Sequence, residues 1–265
     1  MNTKTIPGAQ QPVWHELIAY APEPGYLAGR IIMVTGAAGG IGRAVAAAYA
    51  RHGAQTILMD AHRKGLEQAH QQFAEAGWSE PVLCPVDFSS MTLENVREIA
   101  NELEHRFGVL DGLLNNASWT GELTPFEHYA PKTWARVMNV NLAAPFFLTQ
   151  WLMPLLRKSG DPAVVFSLHD CSKAYWNGFA MAKAGQEALM KVLADEYADD
   201  TSHPVRIIGI DPGPVMTEGR RQNYPGEKPD AHPSPEDVTG PYLFAMGPGA
   251  KDWSGRVFCE HAGDG

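Results

Sequence analysis

Hydrophobic and polar positions along this chain form alternating blocks, and the blocks predict strands and helices in turn. Segments with apolar residues at helical spacing separate short apolar runs. The stripe Leu93, Val96, Ala100, Leu103 and Phe107 is one such helical pattern. The runs are continuous rather than alternating, which is typical of parallel strands covered on both faces. We predict strands at 30–35, 55–60, 81–86, 109–114, 163–168, 205–210 and 256–259.

Helices are predicted between these strands at 41–52, 63–76, 131–158 and 178–199, besides the striped segment. This succession indicates a single α/β domain with a doubly wound parallel sheet flanked by helices. Ligands of such sheets bind outside the carboxyl ends of the strands. Functional residues are therefore expected in the loops at that edge.

Two segments do not follow the strand and helix pattern. Residues 1–28 contain four prolines and are predicted to be an N-terminal arm, extended except for a short helical turn around 13–20. The remaining 29–265 form the domain. Within it, 212–235 is long and rich in Gly, Pro and charge, and we expect it to be a mobile lid over the substrate.

Composition and charge exclude several classes of partner. The chain has 265 residues and a formal net charge of -9, which argues against nucleic acid or an anionic membrane. Cys84, Cys171 and Cys259 are far apart and form no metal-ligand pattern, so no metal is expected. Neither a signal peptide nor a long apolar run is visible, so we expect a cytoplasmic protein.

A glycine-rich turn between the first strand and the first long helix is the strongest functional signal. Gly36, Gly40, Ile41 and Gly42 lie in the stretch 34–43. Glycines let the backbone approach a pyrophosphate, and the helix N-terminus offers free N–H groups to it. A strand before the turn and a helix after it favour dinucleotide binding over a plain turn.

Asp60, at the end of the second strand, bears on the choice of dinucleotide. A carboxylate there can accept hydrogen bonds from both hydroxyls of the adenosine ribose, and it would repel a 2′-phosphate. His62, Arg63 and Lys64 follow at once and are basic enough to serve NADP. We predict NAD as the cofactor, with NADP less favoured.

Five motifs together resemble the classical short-chain dehydrogenase/reductase family. They are the glycine turn, Leu-Asn-Asn-Ala at 114–117, Asn-Val-Asn at 139–141, Phe-Ala-Met-Ala-Lys at 179–183 and Asp-Pro-Gly-Pro-Val at 211–215. The resemblance extends over about 27–263. It implies a Rossmann-type domain, an NAD(P)-dependent oxidoreductase acting on a small carbonyl or alcohol, and a homotetramer or homodimer.

The resemblance also implies roles for residues around the cofactor. Asp87 would contact the adenine, unless it is only a turn or helix-cap residue. Val215 and Thr217 would hold the nicotinamide carboxamide. Ser118 stands where the family's turn beneath the cofactor has glycine. The full set of further contacts implied in this way is Asp87, Asn115, Ala117, Lys183, Pro212, Gly213, Val215 and Thr217.

The catalytic set departs from the family at two of its four positions. The family uses Asn, Ser, Tyr and Lys, in which the tyrosine exchanges a proton with the substrate oxygen. Asn141 and Lys183 match. Phe179 stands at the tyrosine position and has no proton to give, while His169 falls at the serine position. Histidine has a reference pKa of about 6.5, which suits proton transfer near neutrality.

Several alternatives remain open around this set. A shift of the alignment would bring Ser167 to the serine position, and His169 could be a loop residue bonded to Asp170. Tyr175 could supply the missing hydroxyl if the helix began early, although Asn-Gly at 177–178 indicates a turn. Pro145 cannot donate to the carbonyl of Asn141, which leaves that carbonyl free for a water at a bend.

Two classes of function fit these residues. One is an oxidoreductase whose acid/base group is His169 or Tyr175. The other is a catalytically degenerate dinucleotide-binding protein that acts as a sensor, scaffold or partner subunit. Arg220, Arg221 and Lys228 in the lid could suit an anionic substrate, although a solvated loop is the simpler interpretation.

Overall fold

A seven-stranded parallel sheet forms the centre of the computed structural model, which describes residues 12–198 and 204–260. The strand order is β3-β2-β1-β4-β5-β6-β7, so the sheet is doubly wound and the predicted fold class is confirmed. The strands are β1 (Ile31–Thr35), β2 (Gln55–Asp60), β3 (Val82–Pro85), β4 (Gly112–Asn115), β5 (Ala163–Ser167), β6 (Arg206–Asp211) and β7 (Val257–Cys259).

Helices cover both faces of the sheet. Their bounds are α1 (Trp14–Ile18), α2 (Gly40–Arg51), α3 (Arg63–Glu75), α4 (Leu93–Phe107), α5 (Pro131–Met138), α6 (Ala144–Leu156), α7 (Asn177–Glu196), α8 (Glu218–Asn223) and α9 (Thr239–Met246). One core cluster joins α2, α3 and α9 to the sheet, and a second joins α4, α6 and α7 to its other face. Every residue of β5 and β6 is buried, as continuous apolar runs predict.

The predicted helix at 131–158 contains a bend. A π-helical turn over Asn139–Ala143 separates α5 from α6, because Pro145 has no N–H to continue the helical hydrogen bonds. The expectation that the carbonyl of Asn141 is free was wrong. It accepts a hydrogen bond from the side-chain amide of Gln186 on α7.

The described part of the predicted arm, residues 12–28, packs on the domain. Leu17 and Leu27 are fully buried in the cluster that contains α9. Gly240 at the start of α9 allows this contact, since a Cβ there would lie 2.2 Å from the carbonyl oxygen of Leu17. Among the described residues, no helix has the length and apolar character required to cross a membrane.

Candidate active site

A cavity of about 450 Å³ lies at the carboxyl edge of the sheet, where β1, β2, β4, β5 and β6 end. Its walls are the loops after these strands together with α7 and α8. It brings together eleven of the residues predicted to be catalytic or cofactor-binding: Gly36, Gly40, Ile41, Asp60, His169, Phe179, Lys183, Pro212, Gly213, Val215 and Thr217.

The glycine turn forms one end of the cavity. Gly36 and Gly40 have φ of 70° and 52°, in the left-handed region that favours glycine. Gly39 lines the cavity as well, and a Cβ on it would meet nothing within 4 Å. The N-terminus of α2 therefore faces open space with bare backbone, an arrangement that fits a phosphate group.

Gly42 is required for the close packing of α2 on the turn. It does not line the cavity; a Cβ on it would lie 2.1 Å from the carbonyl oxygen of Gly36 and 2.5 Å from Nδ2 of Asn116. A side chain at this position would therefore push the helix away from the turn.

Asp60 is fixed beside the glycine turn by two backbone groups. Its Oδ2 accepts from the N–H of Ala38 at 3.0 Å and its Oδ1 from the N–H of His62 at 2.9 Å. Both neighbours also line the cavity. A carboxylate is thus held where the adenosine end of a dinucleotide would lie.

Four other residues singled out from the sequence, Asp87, Asn115, Ala117 and Asn141, lie outside the cavity wall. Asp87 is exposed and accepts from the N–H of Ser89, and this hydrogen bonding lowers the pKa of its carboxyl. Asn115 is buried and donates to Thr149 at 3.0 Å, while the neighbouring Asn116 lines the cavity instead.

Asn141 supports the loop after β4. Its Oδ1 accepts from the hydroxyl of Ser118 at 3.0 Å and from the N–H of Trp119 at 3.1 Å. Its Nδ2 donates to the carbonyls of Trp119 and Val137. All of these bonds are internal, so Asn141 positions the loop beneath the cavity.

Lys183 is buried, with 4 % of its surface exposed, and its ammonium has partners within the protein. Nζ donates to the carbonyl of Ser167 at 2.7 Å and to Oε1 of Gln186 at 3.2 Å, and it lies 5.7 Å from the centre of the Phe179 ring. Burial lowers the pKa of Lys183 to about 8. Gln186 links this lysine to the carbonyl of Asn141.

His169 lines the cavity and faces Asp211, not Asp170. Its Nδ1 is 3.6 Å from Oδ1 of Asp211. Burial would raise the pKa of Asp211, but His169 and the N–H groups of Asp170 and Gly213 together hold it below its ordinary value. The carboxylate of Asp211 therefore lies next to Nδ1 of His169. The other ring nitrogen, Nε2, is left available to another partner.

The two hydroxyl alternatives differ in their surroundings. Ser167 lines the cavity, but its Oγ donates to Oδ1 of Asn116 at 3.1 Å and lies 2.9 Å from the hydroxyl of Tyr242. Tyr175 precedes the first residue of α7, is 57 % exposed and does not line the cavity. The early helix start that the Tyr175 alternative requires does not occur, because α7 begins at Asn177, after a turn.

Comparison with known proteins identifies the family. The short chain dehydrogenase model matches residues 30–228. The chain is 36 % identical to YciK, an uncharacterized oxidoreductase of Escherichia coli K12, over 92 % of this chain and 96 % of YciK. This chain is a short-chain dehydrogenase/reductase. As a member of that family it is an oxidoreductase that binds a nicotinamide dinucleotide.

Two solved short-chain dehydrogenases are similar along nearly their whole length. One, from Shigella flexneri 2a, was solved in complex with NADP; it is 35 % identical, with a TM-score of 0.85, over 89 % of this chain and 99 % of that one. Another, from Escherichia coli CFT073, was solved in complex with NADPH; it is 36 % identical, with a TM-score of 0.85, over 90 % and 99 %.

The sequence alone did not reveal every residue of this short-chain dehydrogenase/reductase site. Trp176 and Tyr224 line the cavity, and Asp211 faces His169. Gln186, which accepts from Lys183, was also missed. It is the only one of these residues that a local sequence pattern could have indicated, because it follows Lys183 by three residues on the same helical face. Within 12–198 and 204–260, no group of three or more His, Cys, Asp or Glu side chains could hold a metal ion.

Proposed function

We propose that this protein transfers hydride between a nicotinamide cofactor and a carbonyl or hydroxyl group of a small molecule, with His169 as the proton donor. One observation carries the proposal: His169, Lys183 and the glycine turn line the same cavity. The resemblance that puts Phe179 at the family's tyrosine position makes a different acid necessary, because phenylalanine cannot exchange a proton.

A reduced nicotinamide bound here would supply the hydride, with its two electrons, to the carbonyl carbon and would itself be oxidised. His169 gives a proton from Nε2 to the carbonyl oxygen, so that an alcohol leaves and the imidazole is neutral until it takes a proton from water. Asp211 faces Nδ1 and would orient the ring for this transfer once the two atoms come within hydrogen-bond distance. The 3.6 Å separation exceeds a hydrogen bond, and such contacts tighten when substrate binds.

Lys183 and the loop after β6 complete the cofactor site in this proposal. The ammonium of Lys183 would bind the nicotinamide ribose, as the resemblance implies. The backbone near Val215 and the hydroxyl of Thr217 would hold the carboxamide. That hydroxyl also accepts from the N–H of Arg220 at 3.2 Å and so caps α8. Cofactor binding would therefore bear on the position of the lid.

Two observations favour different cofactors. The Shigella and Escherichia coli neighbours were solved with NADP and NADPH, which favours the phosphorylated cofactor and counts against the NAD prediction. Asp60 of this chain favours NAD(H), because its carboxylate would lie next to a 2′-phosphate. On the charge of Asp60 we propose NAD(H).

Fluorescence titration with NADH and NADPH tests this choice. We expect NADH to bind roughly tenfold more tightly or better, since like charges a few ångströms apart repel by more than 1 kcal/mol near a protein surface. Asp60→Asn should reduce the difference by removing the charge and keeping the shape. If the unchanged protein prefers NADPH, then His62 or Arg63 governs the pocket and the NAD(H) proposal is wrong.

Cofactor oxidation with a panel of aldehydes and ketones tests the reaction itself. His169→Gln keeps a polar side chain but cannot transfer a proton, and we expect kcat to fall roughly a hundredfold or more. His128→Gln, an exposed residue outside the cavity, is the matched control. A His169→Gln protein with full activity would remove His169 from the mechanism; no activity in the unchanged protein would favour the degenerate dinucleotide-binding protein.

A further inference from the structure

Four ring side chains surround the substrate end of the cavity, with Trp176 at their centre. The ring centre of Trp176 is 5.6 Å from that of His169, 5.5 Å from that of Phe179 and 6.5 Å from that of Tyr224. All four residues line the cavity. Trp176, Phe179 and Tyr224 are here called the aromatic wall, and it lies beside the proposed proton donor.

The turn that carries Trp176 is held in an unusual conformation. Tyr175 and Asn177, on either side of it, have φ of 76° and 39°, which is uncommon for residues other than glycine. The side-chain amide of Asn177 donates to the carbonyls of Thr124 at 2.8 Å and Tyr175 at 3.0 Å. These bonds hold the backbone on either side of Trp176 and so tie the turn to the loop at Thr124.

The cation next to the aromatic wall is already paired. Arg220 donates to both oxygens of Glu227, at 2.7 Å and 2.6 Å, and its NH2 group is 3.0 Å from Nε2 of His232. The guanidinium also lies 4.8 Å from the ring centre of Tyr224. An anionic substrate would have to displace Glu227, so this end of the cavity offers ring faces rather than a free positive charge.

We propose that the substrate carries a flat aromatic ring next to its carbonyl or carbinol carbon, and that this ring lies against the aromatic wall while the oxygen meets His169. The inference rests on the proposed hydride transfer and names the substrate class for it. Aromatic rings in edge or offset contact gain up to about tenfold in binding beyond the area they bury. Phe179 then has a function of its own, because it extends the wall where a tyrosine would present a hydroxyl.

Benzaldehyde and cyclohexanecarbaldehyde form a matched pair for the test, since they have the same carbon skeleton and differ in the flatness of the ring. Conjugation makes benzaldehyde the less reactive carbonyl, so a preference for it must come from the protein. We expect kcat/KM to be roughly tenfold higher for benzaldehyde. Trp176→Leu should reduce the preference to about twofold or less, and Tyr224→Leu from the lid should reduce it as well. Tyr175→Leu, adjacent but outside the cavity, should preserve it.

Equal or higher kcat/KM for the saturated aldehyde would overturn the proposal, as would an equal loss for both aldehydes in Trp176→Leu and Tyr224→Leu. The panel of aldehydes and ketones decides the hydride-transfer proposal. If neither aldehyde of the pair is reduced, NMR line broadening of benzyl alcohol by the cofactor-loaded protein tests the wall separately. Broadening that disappears in Trp176→Leu or Tyr224→Leu but persists in Tyr175→Leu would support the wall. No broadening with the unchanged protein would overturn it.

Discussion

Two glycines at the start of α2 should respond differently to the same substitution. Gly42→Ala places a Cβ 2.1 Å from a backbone oxygen and 2.5 Å from the amide nitrogen of Asn116. Gly39→Ala places a Cβ in open space on the cavity wall, and the backbone there is extended, with φ of -166°, so alanine adopts it without strain. The first substitution should therefore affect stability and the second should affect cofactor binding.

The effect of Gly42→Ala on the free energy of unfolding is the sum of two opposing contributions. Alanine in place of a helical glycine ordinarily stabilises by about 1 kcal/mol. At Gly42 the atoms in contact belong to the backbone of Gly36, which cannot rotate away, and overpacking of this kind costs about 1–3 kcal/mol. We expect a net loss of about 1 kcal/mol, which for a domain of this size lowers Tm by roughly 2–4 °C. Gly39→Ala should stay within about 0.5 kcal/mol of the unchanged protein.

Thermal unfolding and NADH titration of both variants measure the Tm and the cofactor affinity. Gly39→Ala should retain its Tm and lose about tenfold or more in NADH affinity, since a methyl group would stand where phosphate approaches the backbone. Gly42→Ala should lower both the Tm and the NADH affinity, because the turn itself must move. If Gly39→Ala binds NADH as the unchanged protein does, the phosphate does not lie at this turn. A Tm for Gly42→Ala at or above that of the unchanged protein would refute the packing argument.

Two further predictions concern buried charge and assembly. Burial lowers the pKa of Lys183 from 10.5 to about 8, so between these values the unfolded chain binds more protons than the folded one and stability rises with pH. Urea unfolding measures the free energy of unfolding of the unchanged protein and of Lys183→Met. The difference between them should grow by about 3 kcal/mol in favour of the unchanged protein between pH 7.5 and 10.5; a difference that stays constant with pH would contradict this. Phe146, Trp151 and Val192 on α6 and α7 are 41 %, 38 % and 60 % exposed, and light scattering at micromolar concentration should show a homodimer or homotetramer that Trp151→Glu dissociates. A monomer would contradict the prediction.

The sequence predicted the centre of the sheet well because β1, β2, β4, β5 and β6 are largely buried. Runs such as 163–168 and 205–210 are apolar apart from Ser167 and Arg206, and the structure places β5 and β6 within one or two residues of them. The helix α9 was missed for a related reason. All of Gly240–Met246 is buried, so its apolar residues are not confined to one face and show no helical period.

The residues around His169 show where prediction from sequence stops. The local sequence pattern identified His169 as a candidate. Asp211 is 42 positions further along the chain, and the two residues meet only because β5 and β6 are neighbours in the sheet. Pro145 correctly indicated that the carbonyl of Asn141 receives no helical hydrogen bond from the residue four positions later. That carbonyl meets Gln186 from another helix, and only the packing of α7 against the π-helical turn determines this.

Chemical rescue of His169→Ala by imidazole is the most direct test of the central claim, that this side chain donates the proton. Removal of the ring leaves space beside Asp211 and Trp176 for the free base to enter. We predict that the variant loses activity while it keeps its fold and its NADH affinity. Added imidazole should then restore aldehyde reduction in proportion to the concentration of its protonated form, so that rescue declines as the pH rises above about 7. A folded, NADH-binding variant that imidazole does not rescue, or that needs no rescue, would contradict the account.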